Sequence, residues 1–322
     1  MGKKGLLLII LLISALLLLG CDQGIESITT TSTSSLTTEF IVLDYMNQVI
    51  PSNVALRFEP SGYLSDHTWR WHGAPVFTPD GTEMYWSKYI TESDTVETWY
   101  TQQENGVWLP PQKLVIDGID GAINCPVFVS GDEGLYFLNV DGIDFTIYRA
   151  TRSESGWQNP ISIDLPIPDG KKLGWSFTIA ENRNIYFSLW SLDGSESTKI
   201  YRSIYMNGSY NDLEELEALN TGTLGTGGPA IAKDESYIIF DSLIVGGTSQ
   251  HDLYISFKNV DGDFSAPINL GPQINSDTED SSATLSPDGM YLFFTTVKTS
   301  DLGYNPYWIK MDEIDAFKPF LD

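Results

Sequence analysis

The sequence predicts an all-β fold, a five-bladed β-propeller of four-stranded antiparallel blades. Three observations predict it: one short stretch occurs five times, two aromatic residues follow each copy at similar distances, and no long helical pattern occurs. Four-stranded sheets that repeat at such a period bury both faces by packing around a common axis. A six-bladed ring is the alternative, and it would need a degenerate blade from the N-terminal region.

The recurring stretch has the pattern of a strand, a tight turn and a second strand. Its first copy, FTPDGTEMYWS, starts at residue 77, and the others start at 128, 178, 231 and 285, so the steps are 51, 50, 53 and 54. In the first copy, Pro79 presets φ and Gly81 accepts the positive φ that such turns need. A regular period of this size indicates stacked supersecondary units.

A second hairpin is predicted after each copy. An aromatic residue of the third strand is followed eight to ten residues later by another, with a polar turn between them. The five pairs are Tyr100 and Trp108, Tyr148 and Trp157, Tyr201 and Tyr210, Tyr254 and Phe264, and Trp308 and Phe317. In the third repeat, DLEELEAL (212–219) has a helix-like composition where the fourth strand belongs, which indicates a distorted edge or a short helical excursion.

The two ends of the repeat region predict how the ring closes. Residues 40–66 are too few for another four-stranded blade. The stretch VALRF (54–58) has the pattern of the end of a fourth strand, and the C-terminal AFKPFLD has that of the start of one. We therefore expect the two ends to meet in the last blade.

The repeats resemble a known family. The stretches FTPDGTEMYW and LSPDGMYLFF are similar to the PD-type, WD-like repeat of TolB and of many bacterial envelope lipoproteins, and the resemblance covers roughly residues 67–319. It implies a propeller and an extracytoplasmic location in the cell envelope. It does not imply one activity, because propellers host unrelated functions.

The N-terminal region has the features of an export signal. A basic start, Lys3 and Lys4, precedes an apolar run of signal-peptide length that ends in LLGC (18–21), which resembles the lipobox of bacterial lipoproteins. The resemblance implies a signal peptide over 1–20, a lipidated Cys21 and a membrane-anchored protein. Residues 21–39 are rich in Ser and Thr and are expected to form a flexible tether, and residues 40–322 are expected to form the propeller domain.

Charge and cysteine content exclude some functions. The formal net charge is −25, and removal of Lys3 and Lys4 takes it to −27 (−25 − 2), which argues against nucleic acid as a partner. With Cys21 lipidated, Cys125 is the remaining cysteine, so no intrachain disulfide is expected, and a small buried thiol is predicted there.

The ligand-binding candidates fall on one predicted face, formed by the loops that lead into each first strand and those between the second and third strands. The richest stretch is YLSDHTWRWHG (63–73). The candidates are Asp66, His67, Trp69, Arg70, Trp71, His72, Trp175, Trp190, His251, Glu279 and Asp280.

These residue types favour a binding or scaffold module for an envelope protein or a glycan, since tryptophan rings pack on sugar faces and carboxylates accept sugar hydroxyls. The alternative is a carbohydrate-active enzyme, a glycosidase or a lyase, that uses carboxylates at the mouth of the channel. A structural role for the tryptophans between blades is also compatible with the sequence. No metal-ligand spacing, cofactor fingerprint or catalytic motif is present, so no cofactor is expected, and binding is favoured over catalysis.

Overall fold

The computed structural model contains five small antiparallel sheets and almost no helix, as expected of a five-bladed propeller. It describes residues 45–60, 69–71, 73–221, 225–243, 250–297 and 304–320. Val42–Asp322 form one compact unit. The predicted fold class is confirmed, and the six-bladed alternative is wrong. In the described ranges, no helix is long and apolar enough to span a membrane.

The first two blades follow a short N-terminal strand, β1 (Leu56–Arg57). Blade 1 contains β2 (Trp69–Trp71), β3 (Val76–Phe77), β4 (Glu83–Ile90), β5 (Thr95–Glu104), β6 (Val107–Trp108) and β7 (Gln112–Lys113). Both β2 and β3 pair with β4, so the inner strand of this blade is interrupted. Blade 2 contains β8 (Ala122–Phe128), β9 (Gly134–Asp141), β10 (Asp144–Ser153) and β11 (Gly156–Ser162).

The other three blades follow in chain order. Blade 3 contains β12 (Lys171–Ile179), β13 (Ile185–Ser191), β14 (Lys199–Ser203), the hairpin β15 (Tyr205–Met206) and β16 (Ser209–Tyr210), and β17 (Glu214–Glu215). Blade 4 contains β18 (Thr226–Ile231), β19 (Tyr237–Ser242), β20 (Asp252–Phe257) and β21 (Ile268–Asn269). Blade 5 contains β22 (Asp280–Leu285), β23 (Tyr291–Thr296) and β24 (Asn305–Lys310), and 3-10 turns at Met311–Glu313 and Lys318–Phe320 follow it.

The ring closes through the N-terminal strand. Strand β1 pairs antiparallel with β24, with Leu56 opposite Trp308, and so becomes the fourth strand of blade 5. Phe58 follows it and is fully buried against Phe293 and Trp308. The first part of the closure prediction is therefore confirmed. The C-terminal stretch does not begin a strand, because residues 315–320 form turns after Ile314.

Each interface between neighbouring blades has its own apolar core. The second strand of a blade supplies side chains to both neighbours, since successive residues of a strand point to opposite faces. In β4, Tyr85 packs towards blade 2 with Leu135 and Trp157. Met84 and Trp86 pack towards blade 5. The aromatic residues that mark the repeats therefore belong to these cores.

Buried carboxylates also join neighbouring blades. Glu83 of blade 1 forms an ion pair with Arg152 of blade 2 at 2.6 Å and accepts a hydrogen bond from Tyr85. Glu235 of blade 4 pairs with Lys258 at 2.7 Å and accepts a hydrogen bond from Tyr186 of blade 3 at 2.7 Å. Charged side chains that are buried in this way require such partners.

The helix-like stretch after β16 forms a distorted edge. Glu214 and Glu215 pair with Arg202 and Tyr201 of β14, and a turn follows at 217–219. The two-residue strand has the position of the fourth strand in its blade, which settles the two readings of that stretch in favour of the edge.

Candidate functional site

A central cavity of about 1010 Å³ lies where the inner strands of the five blades meet. Each blade contributes to its wall: the residues that occupy equivalent positions are Ala74, Cys125, Trp175, Gly228 and Ser282. Because the inner strand of every blade reaches this wall, the cavity follows the axis of the ring.

A bulge shapes the wall at this level. Four inner strands shift register against their neighbours at the same repeat position, between Asn124 and Val127, Leu173 and Phe177, Gly227 and Ala230, and Ser281 and Thr284. A bulge re-aims side chains and bends the strand. The positive φ of Cys125, Gly228 and Ser282 belongs to these bulges.

The bulge of β12 places Trp175 in the cavity. Its side chain is 57% exposed, which is high for a tryptophan, and it packs against Phe145 with ring centroids 4.5 Å apart. Trp190 also lines the cavity, and its indole Nε1 donates a hydrogen bond to the carbonyl of Leu173 at 3.1 Å. Two indole rings thus line the same cavity.

Asp241 lies beside the bulge of blade 4. Its partner in the register is Gly227, and a Cβ on Gly228 would come within 1.9 Å of the Asp241 Oδ2 atom. Glycine is required at position 228 because a side chain there would occupy the space of the carboxylate. The Asp241 side chain therefore reaches the cavity from the second strand of its blade.

Asp241 forms a pair with His251. The Nδ1 atom of the histidine lies 3.0 Å from Asp241 Oδ1. This hydrogen bond raises the pKa of His251 above its ordinary value of 6.5, and the charges of Glu279 and Asp252 act in the same direction, while burial opposes them. The imidazole thus lies beside carboxylates at the cavity wall, and their charges favour its protonated form.

Glu279 and Tyr304 form the second polar pair of the wall. The phenol of Tyr304 donates a hydrogen bond to Glu279 Oε2 at 2.6 Å, and both residues line the cavity. The carbonyl of His251 accepts a hydrogen bond from the backbone of the next residue, Asp280, at 2.9 Å. The two polar pairs are thereby joined through the backbone.

Asp280 is a predicted ligand-binding residue that the structure does not place on the cavity wall. Its side chain is fully buried, and it accepts hydrogen bonds from the backbone and hydroxyl of Ser276 at 2.6 and 3.0 Å. Burial raises its pKa, and the charge of Asp252 raises it further. Asp280 is part of the packing behind the wall and is not placed to contact a ligand.

The remaining candidates are described in part. Trp69, Arg70 and Trp71 form β2, of which the structure describes the backbone course but not the side chains. Asp66, His67 and His72 lie outside the described residues, as does Cys21. The structure therefore places Trp175, Trp190, His251 and Glu279 of the predicted set on the cavity.

Cys125 has a structural role. Its thiol donates a hydrogen bond to the carbonyl of Trp175 at 2.9 Å, which links blades 2 and 3. Burial raises its pKa to about 12, so the thiol stays protonated at neutral pH and is a poor nucleophile. Among the described residues, no group of three or more His, Cys, Asp or Glu side chains is arranged to hold a metal ion.

Sequence reasoning missed Asp241 and Tyr304. A usable signal exists for Asp241: the residues ten positions after each repeat start are Ser87, Leu138, Ser188, Asp241 and Thr295. Asp241 is the single acidic residue of that set, on a strand face that the other members fill with small or apolar side chains. Tyr304 carries no comparable signal, because it lies in a loop without a repeat counterpart.

Comparison with known proteins gives similarities of fold. No family model matches the sequence, and no curated protein matches it. The fold is similar to TolB from Acinetobacter baumannii (TM-score 0.47, 16% identity, 73% of this chain and 53% of that chain). It is also similar to a putative TolB from Agrobacterium tumefaciens (TM-score 0.47, 17% identity, 75% of this chain and 77% of that chain). An oligogalacturonate lyase from Vibrio parahaemolyticus is less similar (TM-score 0.37, 12% identity, 77% of this chain and 67% of that chain).

The chain thus spans about half the length of the first of these proteins. At such identities the similarity concerns the fold alone. The strand order and the pocket together define a five-bladed β-propeller with an axial cavity.

Proposed function

We propose that this protein is a glycan-binding module of the bacterial cell envelope that holds its ligand in the axial cavity. One observation carries the proposal: a cavity of about 1010 Å³ is lined by Trp175, which is 57% exposed, by Trp190 and by polar groups. Sugar-binding sites need this combination, because a flat ring packs on the apolar face of a sugar and fixed acceptors orient its hydroxyl groups.

The proposal includes a location on the extracytoplasmic side of a membrane. The basic start, the apolar run and LLGC at the N-terminus support export and lipidation of Cys21, which would tether the propeller to the extracytoplasmic side of a membrane. Labelling of growing cells with a clickable fatty acid tests this part. The label should be incorporated into the wild-type chain and not into Cys21→Ser, whereas equal labelling of both would contradict lipidation at this residue.

A thermal-shift experiment tests glycan binding. The purified full chain is heated with a panel of neutral, amino and acidic oligosaccharides. A ligand at a hundred times its dissociation constant stabilises the folded state by about 2.7 kcal/mol, which raises the melting midpoint measurably. We expect Trp175→Ala to remove the shift and Met206→Ala to retain it, because both side chains are 57% exposed but only Trp175 lines the cavity.

A protein partner is the main competing outcome. If no oligosaccharide shifts the midpoint, and crosslinking in the native envelope captures a protein whose contact is lost in Trp175→Ala, the glycan assignment is wrong and the module recognises a protein.

A carbohydrate-active enzyme is the second candidate, and one observation favours it. Two carboxyl groups, Asp241 and Glu279, line the same cavity, and both act on the pKa of His251. A glycosidase needs an acid and a base or nucleophile on opposite sides of the scissile bond. Incubation of the full chain with the sugars that bind, followed by product analysis, decides the question: cleavage that Glu279→Gln abolishes would favour the enzyme over the binding module.

A further inference from the structure

The charge of the cavity wall bears on the charge of the ligand that the cavity can bind. Around His251, the charged described residues that line the cavity are Asp241, Glu279 and His251 itself. Their formal charges sum to −2 with a neutral imidazole and to −1 with a protonated one, so the sum is negative in either state. The wall therefore opposes an anionic ligand and favours a cationic one.

The positively charged side chain on the cavity wall lies far from Asp241. Of the described residues that line the cavity, Lys233 is the single Lys or Arg. It follows the end of β18, whereas Asp241 pairs with Gly227 near the beginning of that strand. At about 3.3 Å per residue, the two positions are separated by roughly 15–20 Å along the strand direction, so Lys233 does not neutralise the carboxylate of Asp241.

Each of the two carboxylates retains an oxygen for a ligand. Asp241 Oδ1 is engaged by His251, and Glu279 Oε2 accepts the hydrogen bond of Tyr304. Neither Asp241 Oδ2 nor Glu279 Oε1 has a hydrogen-bond partner among the described residues. The side chain of Asp241 is 11% exposed, so a carboxylate that is largely removed from water lines the cavity. A hydrogen-bond donor on a ligand would stabilise such a carboxylate.

An ammonium group matches both features of the wall. It donates three hydrogen bonds and carries the charge that the carboxylates require. It is also attracted to the face of a tryptophan ring, and two such rings, Trp175 and Trp190, line the cavity.

We propose that the glycan bound in the axial cavity is an amino sugar whose free ammonium group is held by Asp241 and Glu279. The inference rests on the proposed glycan-binding function, and it adds the substrate class: a sugar with an unacetylated amine is preferred over its acetylated form and over uronic acids.

Isothermal titration calorimetry of the full chain tests the inference with two matched probes. The first is β-1,4-linked tetraglucosamine, and the second is the same tetrasaccharide with every amine acetylated. At a pH below the pKa of the amine, we expect the amine form to bind at least tenfold more tightly, which corresponds to about 1.4 kcal/mol. Asp241→Asn and Glu279→Gln should each reduce that preference, because each removes a charge from the wall.

The control is Asp234→Asn, which removes a carboxylate from the same cavity in the turn after β18. It should leave the preference unchanged. A preference that survives in Asp241→Asn and Glu279→Gln would show that the cationic sugar binds to the acidic surface in general, and the inference would then be wrong.

Equal affinity for both probes would also overturn the inference while leaving glycan binding intact. If neither probe bound but another oligosaccharide did, the amino-sugar class would be wrong. If no sugar bound at all, the proposed function itself would fail, and the inference would fail with it.

Discussion

Leu56 lies opposite Trp308 in an antiparallel pair, so a strand near one end of the described chain completes the blade formed near the other end. The residue that follows this strand by one position, Phe58, is fully buried and lies 5.3 Å from Phe293 and 5.6 Å from Trp308 between ring centroids. The closure of the ring therefore depends on a small group of aromatic contacts.

Phe58→Ala should destabilise the propeller by about 3–5 kcal/mol, since the substitution leaves a cavity among Phe77, Phe293 and Trp308. Urea unfolding followed by tryptophan fluorescence measures the loss. Val54→Ala is the matched control in the same segment, because Val54 is 59% exposed and should change stability by no more than about 0.5 kcal/mol. Similar values for the two variants would mean that the closure contributes little.

His251 should titrate above its ordinary pKa of 6.5, because Asp241 stabilises the imidazolium form. A raised pKa in the folded state adds stability that is fully present below the unfolded pKa and is lost as the pH rises through the folded pKa. NMR titration of the histidine ring measures the pKa directly, with assignment by His251→Gln. In Asp241→Asn the midpoint should fall; an unchanged midpoint would show that the pair does not form in solution.

The same pair predicts a pH dependence of unfolding. Between about pH 5 and about pH 9, the free energy of unfolding should fall less in His251→Gln than in the wild type, because the variant lacks the titrating group. Chemical denaturation at both pH values gives the comparison.

Asp280→Asn should stabilise the fold at neutral pH, on the order of 1 kcal/mol. Burial and the charge of Asp252 both raise the pKa of Asp280, so the ionised carboxylate is unfavourable, and its cost grows as the pH rises. The neutral amide removes the charge and keeps an oxygen for the hydrogen bonds of Ser276. Asp261→Asn, in an exposed turn, is the control and should be neutral. A loss of stability in Asp280→Asn would mean that the ionised form is favoured.

Gly228→Ala should displace Asp241 from the cavity wall, because the new methyl group would come within 1.9 Å of its Oδ2 atom. The comparison variant is Gly194→Ala: both glycines have positive φ, 56° and 69°, but no atom lies within 4 Å of a Cβ at Gly194. Gly228→Ala should therefore cost about 1–3 kcal/mol more in urea unfolding. It should also lower the pKa of His251, and equal costs for the two variants would contradict the close contact.

The fold could be predicted because the residues that recur at a regular spacing in the sequence are ones that the fold buries. Tyr85, Phe137, Tyr186, Phe240 and Phe293 are all fully buried in second strands, at the aromatic positions of the recurring stretch. A turn residue such as Gly81, with φ of 70°, adds a conformational requirement that few other residue types meet. Composition and spacing together therefore constrain the blade.

The site could be predicted only in part, because it depends on side-chain direction. Glu279 and Asp280 are adjacent acids, but successive residues in an extended chain point to opposite sides, so the first reaches the cavity and the second is buried. The position of Asp241 on the cavity depends on the bulge in β18, which opens the wall to its side chain. A bulge has no clear pattern in the sequence, since Cys125, Gly228 and Ser282 adopt it with unrelated side chains.

The pairing of β1 with β24 also sets the order in which the protein can fold. Blades 1 to 4 are each made from one continuous stretch of chain and can assemble from local contacts as synthesis proceeds. Blade 5 needs residues 56–57 and 305–310 at once, so its completion is the strand pairing of longest sequence separation in the described chain and is expected to be slow. Until then, the apolar faces of blades 1 and 5 remain open to solvent and to other chains. A chain of this architecture is therefore most prone to aggregation in the interval between synthesis of β24 and the pairing of β24 with β1.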